Sequence, residues 1–351
     1  MKDIIGGNWP AGTGQVRQLG VDEESAGQRL DNFLLRHLKG VPKTHIYRII
    51  RSGEVRLNKG RASADSRVQA GDVVRVPPVR LSERISEKAE AMAAAAPARE
   101  FAVLFEDESV LAVNKPAGVA VHDGSGVSFG VIEQLRMARP QARFLELVHR
   151  LDRETSGILL VAKKRSALKH LQDQFRERET GKTYLALVSG LWPATKKVLD
   201  KPLHKYLLPA ESGQVGAGER RVKVVARDDP DGMKSVTLVK VRERFSAAST
   251  PGLPTLSLLE VTIKTGRTHQ IRVHLASEGQ PILGDDKYGN FELNKSLQKP
   301  AHGPALRRMF LHAWRLQFTH PVSGERIELQ APLPDELQLY LNHLQAAAIT
   351  T

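Results

Sequence analysis

The sequence predicts an α+β protein: a small N-terminal domain joined to a larger domain built on a mainly antiparallel sheet. Three observations lead there. Two helical stripes followed by short strand-like pieces occupy the first 80 residues. An Ala/Glu/Lys-rich stretch with no large apolar stripe interrupts the pattern over 81–100. From residue 101 onward, many β-like runs are punctuated by a few helices without strict β-α-β alternation. At 351 residues the chain is long enough for two such cores.

Taken in order, residues 1–20 show little periodicity and read as a loose leader. Over 21–80, Leu30, Phe33, Leu34 and Leu38 fall at helical spacing and make one buried stripe. A second helix follows Pro42, with Ile46, Ile49 and Ile50 on one face and Lys43, Tyr47, Arg48 and Arg51 on the other. The strand-like pieces EVRLN and DVVRV come next, the latter ending at Pro77-Pro78. The stretch 81–100 reads as a semi-rigid linker, and 101–351 as the larger domain. There FAVLF and VLAVN flank the polar turn Glu106-Asp107-Glu108, a hairpin signal. Further strands are expected at LVH, GILLVAK, KTYLALV, VTLVKVRERF, TLSLLEVTI, MFLHAWRLQF and RIELQ, with a turn at HPVSGE over 320–325. Helices are expected near 130–139, 166–178, 268–278 and 335–346. No fixed-period repeat is present.

Composition narrows the function. The chain carries a formal charge of +13, and nine Lys/Arg against Asp31 and Glu54 lie between Arg29 and Arg61. Charge concentrated in that way points to a polyanion partner, and the basic face of the second helix, with Lys43, Arg48 and Arg51, is the expected contact. With no cysteine, disulfides, thiolate nucleophiles and cysteine zinc sites are excluded, which suits a reducing cytoplasm. No apolar run reaches the ~20 residues of a membrane helix, so no membrane partner is expected. The start, MKDIIGGNWPAGTGQ, does not read as a secretory signal.

The chemistry concentrates in two strings. VHRLDRETSGILLVAK, 148–163, sets Asp152 between Arg150 and Arg153 just before a strand, where neighbouring guanidiniums favour an ionised carboxylate. TGRTHQIRVHL, 265–275, supplies further cations. His149, His269 and His274 do not read as a metal site: the last two are five apart, not four, and no carboxylate–His motif accompanies them. Capping or RNA-contact roles are expected instead. Gly124-Ser125-Gly126 lacks the GxxxxGK[ST] pattern of a phosphate cradle and reads as a loop.

Five strings in order, NKPAG at 114–118, HRLDRETSG at 149–157, KTYLALV at 182–188, TGRTHQIRVHL at 265–275 and FLHA at 310–313, resemble the RluA-type pseudouridine synthases. GQRLDNFL and RSGEVRLNKGR resemble the RNA-binding domain first known in ribosomal protein S4. Together the two resemblances cover about nine-tenths of the chain. They imply an enzyme that isomerises uridine to pseudouridine in large-subunit ribosomal RNA, free or in pre-ribosomal particles, as a monomer and with no cofactor or metal. They imply Asp152 as the catalytic carboxylate, held by Arg267 as first choice of partner and Arg272 as second, with Tyr184 against the uracil. Arg150 is implied near the space the extruded base leaves, and His149 and Arg272 are grouped with the RNA contacts. Two alternatives share these features: a non-catalytic ribosome-assembly factor, and the same chemistry on tRNA. One departure stands out: relatives commonly carry a charge pair where this chain reads Ser235-Val236-Thr237-Leu238.

Overall fold

The computed structural model describes residues 16–349 apart from 24, 39–40, 80–96, 123–128, 209–218, 249–251 and 300–302. The leader before residue 16, most of the expected linker over 81–100 and the Gly124-Ser125-Gly126 loop therefore lie outside the described residues. The chain divides into two compact units, residues 1–97 and 98–351.

In the N-terminal unit, helices α1 (Leu30–His37) and α2 (Lys43–Arg51) pack on a small antiparallel sheet. Its strands are β1 (Arg17–Gly20), β2 (Arg56–Leu57), β3 (Gly60–Arg61) and β4 (Val73–Val76), in the order β1-β4-β2-β3. The stripes read from sequence are what is buried: Leu30, Phe33, Leu34, Ile46 and Ile49 join Val55, Val68, Val74 and Val76 in one core, each at most 1% exposed. Burying a side chain of this size stabilises by roughly 1.5–3 kcal/mol, so this core holds the basic face of α2 outward. Residues 17–20 correct the expectation of a loose leader. They form β1, with Leu19 opposite Val74, because the free edge of β4 offers its backbone groups a partner.

The larger unit is built on a ten-stranded sheet. Its strands include β5 (Val103–Glu106), β6 (Val110–Lys115), β7 (Glu146–Leu147), β8 (Ser156–Ala162), β9 (Gly181–Ser189) and β10 (Val198–Asp200). A separate ribbon is made by β11 (Leu203–Leu208) and β12 (Glu219–Val224). The sheet continues with β13 (Val236–Phe245), β14 (Leu256–Ile263), β15 (Leu311–Thr319) and β16 (Arg326–Gln330). The order is β10-β13-β14-β9-β15-β8-β6-β5, with β7 on β8 and β16 on β15. Every pair is antiparallel except β8–β15, where Ser156 lies beside His312 and Gly157 beside Ala313. Helices α3 (Val131–Ala138), α4 (Arg165–Glu177), α5 (Gln270–Ala276), α6 (Phe291–Leu297) and α7 (Asp335–Ile349) complete the unit. β10, β11, β12 and α6 were not legible in the sequence. The first is three residues at a sheet edge, and β12, ERRVKV, is too charged to stand out as a strand.

The parallel joint between β8 and β15 depends on Gly157. Its φ is +114°, and a Cβ there would come within 2.7 Å of Ala313 N. Gly157→Ala is expected to destabilise the unit by about 2 kcal/mol or more, seen as a melting temperature lower by roughly 4–8 °C. Gly266, around which nothing lies within 4 Å, is the control: Gly266→Ala should melt within about a degree of the parent. Equal melting of the two variants would refute the close-approach account.

Candidate active site

Asp152 sits on the loop that joins β7 to β8, and the loop is tied down from both sides. Beneath it, fully buried Lys115 donates from Nζ to the carbonyls of Pro116 (2.8 Å), Val119 (2.8 Å) and Arg153 (3.0 Å). Three acceptors match the three donors of an ammonium, and they oppose the burial that pushes the Lys115 pKa down to about 7. On the other side, Arg308 donates to Ser156 Oγ (2.8 Å) and Glu154 O (3.4 Å). Ser156 Oγ also meets His312 Nδ1 at 2.8 Å, while His312 Nε2 faces Ala331 O at 3.3 Å. Burial lowers the His312 pKa to about 4, so the ring is neutral; a proton on Nε2 satisfies both bonds.

An open pocket lies above this loop. Asp152, Arg150, Tyr184, Arg267, His269 and Arg272 all contribute to its walls. Tyr184 comes from β9, half-buried, and burial followed by the nearby Asp152 charge raises its pKa, which keeps the hydroxyl protonated.

Two groups approach the Asp152 carboxylate: Arg272 Nη1 at 3.7 Å and His269 Nε2 at 3.8 Å, both from Oδ2. Burial lowers the His269 pKa, so its ring is uncharged at neutral pH and the standing cation is Arg272. The Arg272 side chain is 3% exposed and is committed elsewhere by strong bonds. Nε and Nη2 donate to the two oxygens of Asp285, each at 2.7 Å, and Nη2 also reaches Asp286 at 3.0 Å. This leaves Nη1 directed at Asp152. Asp285 is itself 1% exposed, accepts from Lys287 N (2.9 Å) and Tyr288 N (3.0 Å), and has its pKa held down by the Arg272 bond against the opposing effect of burial.

The structure reorders the residues expected from sequence. Arg267, the expected partner of Asp152, lines the pocket but its Nε donates to Lys234 O at 3.3 Å. The reason is local: Gln270, buried at 3% exposure, accepts from Arg267 N and Thr265 Oγ1 and donates to Val236 O and Thr237 Oγ1. That clamp fixes the 265–270 turn so that Arg272, in the first turn of α5, points inward. The sequence neighbours do not hold Asp152 either: exposed Arg153 pairs with Glu154 at 2.7 Å, and Arg150 lines the pocket mouth. His149 was expected at the RNA. Instead its Nε2 accepts from Leu160 N (3.1 Å), its ring stacks on Phe175, and burial lowers its pKa to about 4. His274 is fully buried between Thr237 Oγ1 and Lys201 O. Thr237, in the stretch that lacks the expected charge pair, thus serves as a buried hinge post for α5. Lys43, Arg48 and Arg51 are exposed on α2, as expected. Lys115, Gln270, Asp285 and Arg308 were missed; NKPAG and GDDKYG contain the first and third, but only the folded chain shows what they touch.

The RNA pseudouridylate synthase family profile matches residues 109–277, and the S4 domain profile matches 28–74. Ribosomal large subunit pseudouridine synthase C of Yersinia pestis is 50% identical over 327 residues, 92% of this chain and 94% of that protein. The protein of that name from Escherichia coli strain K12 is 48% identical over 335 residues, 95% of this chain and 98% of its own length. Among solved structures, human RNA pseudouridylate synthase domain containing 4 superposes with a TM-score of 0.53 at 25% identity, over 74% of this chain and 98% of that one.

Removing the buried cation should leave Asp285 without its partner. Arg272→Met is expected to cost about 3–5 kcal/mol of stability, whereas Arg267→Met should change stability by less than about 0.5 kcal/mol. Urea unfolding of both variants measures the difference. Equal costs would mean that Arg272 is not the structural cation of the site.

Proposed function

This chain belongs to the RNA pseudouridylate synthase family, with an S4 domain at its N-terminus, and from that premise we propose that it converts specific uridines of 23S ribosomal RNA to pseudouridine using Asp152. Membership makes it an RNA isomerase. The named relatives support ribosomal RNA of the large subunit as the substrate class. The observation that carries the assignment of Asp152 is its place in an open pocket, facing a permanently charged guanidinium and walled by a tyrosine.

The reaction breaks the bond between uracil N1 and the sugar, turns the ring, and joins carbon 5 to the sugar. The proton leaves carbon 5 and N1 gains one, so no oxidant, reductant or water is consumed. An ionised carboxylate can begin this sequence by attacking the sugar or by taking a proton from it. Arg272 sets a cation 3.7 Å from the Asp152 carboxylate. Tyr184 offers a ring for the uracil to lie against. Extruding the base costs roughly a few kcal/mol, and Arg150, exposed at the pocket mouth with no ion pair among the described residues, is placed to occupy the gap. Lys43, Arg48 and Arg51 on α2 hold RNA phosphates, and the chain works as a monomer in the cytoplasm. Among the described residues, no helix is long and apolar enough to cross a membrane.

Asp152→Asn is expected to abolish turnover while leaving RNA affinity within a few-fold, since removing a negative charge does not weaken phosphate binding. Release of tritium from carbon 5 of labelled uridine in ribosomal RNA measures the first, and filter binding the second. Turnover above a few per cent of the parent would assign the chemistry to another residue.

A further inference from the structure

The outward face of α2 carries something that phosphate binding does not require. Tyr47 is 39% exposed there, between Thr44 one turn before it and Arg51 one turn after. Tyr47, Arg48 and Arg51 line an open hollow of about 940 Å³. Tyr47 and Arg51 also line a second, of about 670 Å³, bounded beyond them by Arg61 and the following residues. The tyrosine is thus a ridge between two hollows, each rimmed by guanidinium groups.

Its orientation is enforced from beneath. The hydroxyl donates to Asp31 Oδ2 at 3.0 Å, and Asp31 is 2% exposed. Arg29 grips the same carboxylate with two bonds, at 3.1 and 2.8 Å, and Asn32 N adds a third at 2.8 Å. Arg61 is fixed as well. Its guanidinium lies over Gly53, where a Cβ would come within 2.6 Å of Nε, and donates to Ser52 O at 3.3 Å. A merely solvated face needs neither an aromatic ring nor a buried carboxylate to aim it. A fixed ring among cations is the arrangement that binds unpaired nucleotides, the base on the ring and phosphates at the charges.

We propose that Tyr47 is a stacking platform for an unpaired base of the RNA, with Arg48 and Arg51 holding phosphate on one side of it and Arg61 on the other. The proposal rests on the RNA-binding reading of the N-terminal unit and narrows it to single strands or junctions, because bases inside a duplex present no free face.

The test uses the full-length protein and two probes: a 12-nucleotide oligoadenylate, which holds no uridine for the catalytic pocket, and a G·C RNA duplex of equal length. Fluorescence anisotropy is followed across a salt series for the parent, Tyr47→Phe, Tyr47→Leu and Arg51→Ala. Tyr47→Leu should weaken oligoadenylate binding on the order of tenfold, with an unchanged salt slope and unchanged duplex affinity. Tyr47→Phe keeps the ring and should stay within about twofold. Equal losses in Phe and Leu would overturn the proposal, since the hydroxyl tether would then be what matters; so would an unaffected Leu variant, or an equal loss on the duplex. Arg51→Ala should lower the salt slope by roughly 0.7. An unchanged slope there would count against the RNA-binding reading of α2 itself, separately from the stacking result.

Discussion

The guanidinium of Arg272 is shared by three carboxylates, and in the proposed reaction that sharing sets the electrostatics around Asp152. Asp285 takes two of its donors at 2.7 Å and Asp286 a third contact at 3.0 Å, which leaves Nη1 facing Asp152 at 3.7 Å. Breaking a buried pair by removing one member is far more costly than never having had it. The arrangement therefore locks the cation in place. Of the three carboxylates, Asp152, at 21% exposure, is the one that lines the pocket, while Asp285 at 1% is the anchor. His269 completes the surround as a neutral ring: its Nδ1 meets Tyr288 Oη at 2.8 Å, and with that hydroxyl donating, Nε2 carries the proton toward Asp152.

The loop that presents Asp152 is rigid for reasons that lie in other parts of the sheet. Lys115 at the end of β6 ties Arg153 O of this loop to the carbonyls of Pro116 and Val119, and Arg308 ahead of β15 ties the strand start at Ser156. Gly157 lets β8 and β15 run in parallel contact at that point. The carboxylate, its cation and the tyrosine thus arrive from three separated stretches of chain, each fixed by buried hydrogen bonds rather than by loop contacts. Groups held in this way need no rearrangement when charge develops in the reaction, which is the main electrostatic advantage a protein site has over water.

Much of this was legible in the amino-acid order, and the failures have a common cause. The helical stripe Leu30, Phe33, Leu34, Leu38 and the run VTLVKVRERF carry their period on their face, and both elements form where expected. Asp152 was legible as a candidate because the string around it is dense in chemistry. Its partner was not. Arg267 and Arg272 are equally good cations on paper, and the choice between them is made by Gln270, whose four bonds set the turn. His149 looked available for RNA because it adjoins Arg150, yet it lies against Phe175 of α4, a contact across 26 residues that no local pattern reveals. β1 was read as loose leader because a four-residue strand has no periodicity of its own, only a partner in β4.

In the proposed reaction Asp285 acts on Asp152 through Arg272. Asp285→Asn tests it most directly, because asparagine keeps an oxygen for Lys287 N and Tyr288 N while giving up the charge that locks the guanidinium. Single-turnover rates at saturating ribosomal RNA, measured below the variant's melting temperature, should fall on the order of tenfold, the equivalent of about 1.4 kcal/mol, with RNA affinity unchanged. A parent-like rate in a folded variant, or a loss confined to affinity, would contradict the account.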